Sequence, residues 1–370
     1  MYFEGKLRSI ASSRGVEALL LTWEWNVFYF TRLPRPSGSY LLWVPGGPRR
    51  LYVPALDYWR AMNSVEGVEV VPYSTYRIPG AYFGVEVIYE DLAAEVVREL
   101  RGLGVSRVGI DTSYPTTVSG KVVGRAVKEG LTVVDVSEDV SSARAVKSSE
   151  EVELMRRALR ITEESMERVR ESLIPGLREF EVAGILEASM RFLRADGLAF
   201  ETIVASGPNA AYPHATVTDR AVREGEVLLI DAGARYSGYC SDMTRTFTVG
   251  EPSAEVRRAI EVVAEAVGEA QDRVSDGVAV SEVDGAAREV LRRQGLDRYF
   301  IHSTGHGVGV EVHEKPRLSS SSKELLREGM VVTIEPGVYV SGRYGVRIEN
   351  MVLVRRGGRE VLNKAPLTTP

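Results

Sequence analysis

Five residues of this 370-residue chain have the types and settings that could do chemistry: Asp231, Asp242, His306, Glu335 and Glu349. Each lies in a short apolar segment that reads as a β-strand or a strand end. An unpaired carboxylate is costly to bury in such a segment. Several of them, together with a histidine in a glycine-rich turn, point to a shared cation. Four carboxylates and one neutral imidazole carry a formal charge of about −4, which two divalent metals cancel. The chemistry implied is two-metal hydrolysis, in which paired ions hold a hydroxide and polarise a carbonyl.

The acids fall on two similar hairpins. In EVLLIDAGARYSGYCSDMTRTFTV (226–249), a turn near Tyr236–Ser237 sets Asp231 roughly opposite Asp242. In MVVTIEPGVYVSGRYGVRIENMVLV (330–354), Glu335 ends an apolar strand and Glu349 sits on the return strand. Two such hairpins facing across a pseudo-twofold axis would bring four acids to one point. The plainer reading, with one aspartate capping the turn and the other in solvent, fits poorly with a segment as apolar as LLIDAG. Arg347, two residues before Glu349, shares its strand face. It either supports a ligand carboxylate or forms a surface ion pair of little worth.

Of four histidines, three fall within HSTGHGVGVEVHE (302–314): His302, His306 and His313. The glycines around His306 allow close backbone approach. The G-x-G-x-G run is not a phosphate loop, since no lysine-bearing helix follows and no ribose-binding acid is in place. The fourth, His214, lies in a predicted loop before the first acidic hairpin and could exchange protons near neutral pH.

The elements that must position these residues divide in two. Residues 16–22, 26–30, 39–45, 50–56, 107–113 and 131–137 read as strands, and 87–103 as an amphipathic helix. A polar stretch, SEDVSSARAVKSSEE, separates this α/β unit from the rest, placing the domains at 1–141 and 142–370. Ser148 and Glu151 then form a capping box. Val152, Met155, Leu159, Thr162, Met166, Val169 and Leu173 mark one face of a helix stopped by Pro175-Gly176. A second helix is predicted from 178 to 195, with Gly197 suited to its C-terminal turn.

The net charge of −5 is spread without a basic block, which excludes a nucleic-acid footprint. No apolar run is long enough for a membrane helix or a signal peptide. Cys240 is the single cysteine, so no intrachain disulfide is possible, and a cytoplasmic setting is expected.

The segments DAGARYSGYCSDMTRTF, STGHGVGVEVHEKPR, TIEPGVYV and VRIEN resemble the metal-dependent pita-bread aminopeptidase family, which includes methionine aminopeptidases, Xaa-Pro aminopeptidases and Xaa-Pro dipeptidases (prolidases). The first domain is similar to the N-terminal domain of creatinases and prolidases. The resemblance implies an α/β (α+β) protein, with a creatinase/prolidase-like mixed-sheet domain followed by a pita-bread catalytic domain of pseudo-twofold symmetry. It implies that Asp231 chelates one metal, that Asp242 and Glu349 bridge both, and that His306 and Glu335 complete the second. A metal-bridging hydroxide would attack the scissile carbonyl while Glu335 relays its proton. His214 and His313 would contact the substrate amide and the oxyanion, with His302 also lining the substrate site. The donor set suits manganese or cobalt, with iron and zinc compatible. The implied partner is a peptide with proline after the scissile bond, and the implied assembly a homodimer through the first domain.

Arg317, four residues after His313, matches an arginine that prolidases use to hold the free carboxylate of a C-terminal proline. It favours a dipeptidase over an Xaa-Pro aminopeptidase acting on longer peptides. Retention of all five ligands disfavours a non-catalytic binding protein on the same fold. Two departures stand out. Asn350 replaces the family's usual aspartate, with an expected effect on Arg347 or on metal affinity. Arg32 stands where relatives often carry glycine, in a loop (with Arg35) that reaches the partner's site in prolidase dimers.

Overall fold

The computed structural model describes residues 2–77, 79, 80, 83–89 and 91–368. The chain divides into two compact units, residues 1–144 and 145–370.

The first unit runs α1 (Tyr2–Arg14), β1 (Ala18–Leu21), α2 (Glu24–Thr31), β2 (Tyr40–Trp43), β3 (Arg49–Pro54), α3 (Tyr58–Met62), β4 (Glu69–Tyr73), α4 (Leu92–Gly102), β5 (Arg107–Ile110), α5 (Thr117–Lys128), β6 (Thr132–Asp135) and α6 (Ser137–Ala145). Its sheet has the order β4-β3-β2-β1-β5-β6. The β1–β2 and β2–β3 pairs are antiparallel, the others parallel. Apolar residues of α4 and α5 (Val96, Val97, Leu100, Val122, Ala126) close over Leu20, Leu42, Val108 and Ile110.

Three expectations are corrected. Residues 26–30 are not a strand but most of α2. Asp111 accepts from the backbone N–H groups of Thr22 and Trp23 at 2.7 and 3.0 Å and from Asn26 Nδ2 at 2.8 Å, so the start of this helix is secured by an acid on another element. The polar stretch after 136 is not merely a separator, since its first nine residues form α6. The helix predicted over 87–103 starts only at Leu92, capped by Asp91; Glu90 within that span lies outside the described residues.

The second unit begins with α7 (Ser149–Ser172), whose Ser148/Glu151 capping box is formed, and α8 (Glu179–Phe192). Leu173 is the C-cap of α7 rather than part of its buried face. The left-handed residue after α8 is Arg194 (φ 73°), and Gly197 instead enters β7 (Gly197–Leu198). β8 (Ile203–Ser206), β9 (Val227–Ala232), β10 (Ala234–Tyr236), β11 (Tyr239–Cys240) and β12 (Met243–Thr248) follow. A second helix pair, α9 (Ala254–Asp272) and α10 (Val280–Arg293), then precedes β13 (Gly305–Gly307), β14 (Glu314–Leu318), β15 (Val331–Ile334), β16 (Gly337–Val340), β17 (Tyr344–Arg347), β18 (Asn350–Arg355) and β19 (Gly358–Val361).

The repeat is one of backbone geometry rather than of letters. The turn inside each helix pair makes the same bonds to a later segment. Gly176 N–H donates to Val222 O at 2.8 Å, and Gly277 N–H to Leu326 O at 2.9 Å. Val222 N–H returns to Leu177 O at 2.8 Å, and Leu326 N–H to Val278 O at 2.9 Å. Both glycines have positive φ, 97° and 83°, which a side chain would strain. The apolar faces of α9 and α10 pack on Leu229, Val332, Ile334, Val346 and Val352.

Candidate metal centre

Asp231 stands on β9, and the β9–β12 ladder pairs it with Thr244. The two aspartates are therefore diagonal rather than directly opposite, because Asp242 lies just before β12 begins. The reversal between β10 and β11 uses Ser237 (φ 47°) and Gly238 (φ 79°), the two left-handed residues of a tight twisted hairpin. In the second hairpin, Ile334 pairs with Asn350. Glu335 and Glu349 thus sit one step past the ladder, where both strands break toward β16 and β17.

Asp242, Glu349 and His306 each offer a ligand atom within 4.8 Å of the others. His306 Nε2 is 3.5 Å from Asp242 Oδ2 and 3.3 Å from Glu335 Oε1. His306 Nδ1 donates to Gly307 O at 3.1 Å, so Nε2 is the atom aimed at the acids. The backbone reaches this position because β13 reads Gly-His-Gly. A Cβ on Gly305 would collide with Thr333 O, and one on Gly307 with Lys315 O.

Arg347 is 3% exposed, which removes the surface-pair reading. It donates Nη2 to Asp231 Oδ2 at 2.6 Å, Nε to Thr244 Oγ1 at 3.1 Å and Nη1 to Tyr339 Oη at 2.7 Å. Tyr339 in turn donates to His302 Nε2 at 2.9 Å, while His302 Nδ1 donates to Ser303 O at 2.8 Å. Both ring nitrogens of His302 are thus engaged within the protein. His313 lies beside His306, with ring centroids 4.3 Å apart, and feels the charges of His214 and Arg317. Arg317 is the β14 residue paired with His306 across the β13–β14 ladder.

Several residues of the site were not singled out by sequence. Thr244 Oγ1 donates to Glu349 Oε2 at 2.8 Å, and Thr244 O accepts from Glu349 N–H at 3.1 Å. Thr333 Oγ1 bonds both His306 N–H (3.1 Å) and Glu335 Oε1 (3.3 Å). The signal was present for Thr244: Asp242, Thr244 and Thr246 alternate, hence share one face. Two buried acids hold the loops leading to the site. Asp284 of α10 accepts from Thr304 N–H and Oγ1 at 3.1 and 2.9 Å. Glu179 of α8 accepts from Ser206 N–H and Oγ and from Thr218 N–H and Oγ1, all between 2.5 and 3.0 Å. His214 stands between those two anchors. Glu179→Gln would turn an amide N–H₂ toward donors, and we expect a loss of roughly 2–4 kcal/mol. Chemical denaturation should register it, and unchanged stability would disprove the anchor.

The electrostatics are those of a buried acid cluster. Burial, then Glu349, Asp231 and Glu335, push Asp242 well above the usual carboxylate range. Burial, then Glu335 and Asp231, do the same to Glu349. Burial also raises Asp231, against the pull of Arg347. Burial works against Glu335 too, but the hydrogen bond and charge of His306 outweigh it and hold this carboxyl at about 2. Burial opposes protonation of His306, yet Glu335 wins and raises it. His306 Nε2 thus faces Asp242 and Glu335, and the Arg347 guanidinium also favours the charged form of both acids. Asp231 Oδ1 and Glu349 Oε1 are buried with no hydrogen-bond partner. Orphaned buried acceptors within a cluster of acids are what a divalent cation would satisfy, so the residues fit a metal site. Because Arg347 is part of the cluster, four carboxylates and one guanidinium carry a formal −3, not −4. Two divalent ions would leave one unit of charge for an anion.

Residues 153–356 match the model of metallopeptidase family M24, and residues 5–146 match the creatinase/prolidase N-terminal domain. This chain belongs to metallopeptidase family M24. It is similar to an Xaa-Pro dipeptidase of Pyrococcus furiosus, 35% identical over 97% of both chains. Among solved M24-type structures, the prolidase of Pyrococcus horikoshii OT3 superimposes with a TM-score of 0.86 at 32% identity, over 98% of each chain. The X-Pro aminopeptidase of Thermotoga maritima MSB8 does so with 0.88 at 30% identity, over 99% of this chain and 98% of that one. These matches establish the two-domain prolidase-like fold with its pita-bread unit, and a family whose members work with divalent metal ions.

Proposed function

We propose that this chain is a metal-dependent dipeptidase that cleaves the Xaa-Pro bond of dipeptides. The observation carrying the reading is the convergence of Asp242, His306 and Glu349, with Glu335 3.3 Å from His306, orphaned carboxylate oxygens on Asp231 and Glu349 and Arg317 opposite His306. Asp231, Asp242, His306, Glu335 and Glu349 would hold two divalent ions, manganese or cobalt, which supply Lewis acidity and acidify water.

The protein's own groups do the rest. Glu335, ionised throughout the neutral range, accepts a proton from the attacking water and returns it toward the leaving nitrogen. Burial, then His306, lowers His313 to about 4, so at neutral pH its ring offers one N–H to the developing oxyanion. His214, exposed on the loop held by Glu179, contacts the scissile amide. Arg347 favours the charged form of Asp231 and aims it, and Tyr339 with His302 fixes Arg347 in turn. His302 thus supports the site through Tyr339. Arg317 takes the proline carboxylate.

The second reading, an Xaa-Pro aminopeptidase, is favoured by the likeness to the Thermotoga maritima enzyme. Hydrolysis of Ala-Pro and Ala-Pro-Ala-Ala by chelator-stripped protein, with manganese or cobalt returned, separates the two. A dipeptidase cleaves the first and ignores the second. Full turnover without metal would sink both readings.

A homodimer through the first unit is the proposed assembly. Leu56, Trp59 and Met62 repeat every three residues and are 78, 54 and 45% exposed, an apolar face suited to a second copy. Trp59→Arg should convert the dimer to monomer in sedimentation; a wild-type monomer would remove the proposal. Among the described residues no helix is long and apolar enough to cross a membrane, and with one buried cysteine we place the protein in the cytoplasm.

A further inference from the structure

Arg245 of β12 is 3% exposed, and all five of its N–H donors are spent on neutral oxygens. Nε donates to Pro366 O at 2.8 Å. Nη1 donates to Thr244 O at 2.9 Å and to Glu349 O at 2.5 Å. Nη2 donates to Asn350 Oδ1 at 2.9 Å and to Ala365 O at 3.1 Å. The aspartate expected at 350 would have given this guanidinium a counter-ion. Asn350 gives it a neutral acceptor, and the residue Asn350 touches is Arg245, not the Arg347 expected from sequence. A buried cation bonded only to neutral groups is costly, so its value must lie in what its rigid fork joins.

It joins three segments: its own strand, the peptide of Glu349, and a strap formed by Leu362–Pro366. The strap is fastened elsewhere too. Leu362 N–H donates to Met351 O at 2.9 Å, and Met351 N–H to Asn363 Oδ1 at 2.7 Å. Lys364 and Ala365 N–H both donate to Glu163 Oε1 of α7, at 2.6 and 2.9 Å. Glu349 lies in the break between β17 and β18. Its N–H goes to Thr244 O and its carbonyl to Arg245, so residues 244 and 245 grip both sides of this one residue.

We propose that Arg245 is a positioning residue that fixes the peptide of Glu349 to the strap Leu362–Pro366, so that the strap sets the aim of a metal-binding acid. The inference rests on the proposed role of Glu349 as a ligand. Arg245→Lys keeps the charge and loses the fork. Manganese titration of the chelator-stripped full chain should show affinity weakened about ten-fold or more. The kcat for Ala-Pro should fall by a similar factor while KM stays within about three-fold. A purely structural role would lower the melting temperature of the metal-free protein but leave manganese affinity and kcat within about two-fold; that result overturns the inference. If Arg245→Lys does not fold, Asn350→Ala decides, since it removes the Oδ1 that accepts from Nη2 and leaves the guanidinium itself intact. Weakening of manganese binding by about three-fold or more upholds the inference, and unchanged affinity overturns it. Wild-type protein that binds no manganese would instead defeat the metal reading itself.

Discussion

Asp242→Asn is expected to abolish peptide hydrolysis and, at the same time, to make the metal-free protein harder to unfold. The loss of turnover should be roughly a thousand-fold, the factor that about 4 kcal/mol of transition-state stabilisation represents. The gain in stability follows from the direction in which folding moves this carboxyl. Burial and three neighbouring acids raise Asp242 well above its unfolded value, so the folded state holds the proton more tightly than the unfolded state. For such a group the favourable contribution is present below the unfolded value, near 4, and is lost as pH rises through the folded value. At pH 8, above the unfolded value, the metal-free wild type therefore carries a penalty of up to about 1.4 kcal/mol for every pH unit separating the folded and unfolded titrations. The neutral amide carries none. Thermal melts of both proteins in chelator should place the variant higher at pH 8, with the gap closing as pH falls toward 4. A variant that melts lower at pH 8, or that retains turnover with manganese, contradicts the picture of a metal-binding acid cluster.

Arg317→Ala is expected to raise KM for Ala-Pro by about 10–100-fold, the worth of a charge-assisted pair of hydrogen bonds. Longer Xaa-Pro peptides should change by less than about three-fold. The difference comes from where the side chain stands. β14 is the edge strand of its sheet, so the exposed Arg317 side chain borders solvent, yet the ladder places it across from His306. A guanidinium there can take a carboxylate lying one residue beyond the scissile bond. Steady-state kinetics on the two peptide lengths would measure this, and equal losses on both would remove the case for a dipeptidase clamp.

What was legible in the sequence was the chemistry carried by strands, because each acid interrupts an apolar run whose alternation is visible in the letters. Asp231, Asp242, Glu335 and Glu349 belong to that class. What was not legible depended on partners far away in the chain. A ligand-carboxylate role for Arg347 could be read from its strand face, but not Asp231, 116 positions earlier, as its partner, nor the place of Tyr339 between Arg347 and His302. Arg245 is not singled out by its sequence setting, and only the fold shows five carbonyl-type oxygens gathered around it. The internal repeat was half visible: the two hairpins could be compared, whereas the helix pairs share turn geometry with little shared wording. α6 was hidden by its polar composition, although Asp135, which accepts from Ser137 N–H at 3.0 Å, marks its start locally.

The helix that replaces the strand expected at 26–30 carries a consequence for synthesis. Asp111, fully buried, arrives 89 residues after Thr22, whose backbone it receives. It follows β5, which pairs in parallel with β1. While a ribosome has released only about the first hundred residues, the aromatic segment around Phe28–Phe30 has no acid to start its helix. Its β-branched and aromatic letters favour an extended form in that interval. Until Asp111 emerges, that segment lacks the acceptor that starts its helix in the folded unit.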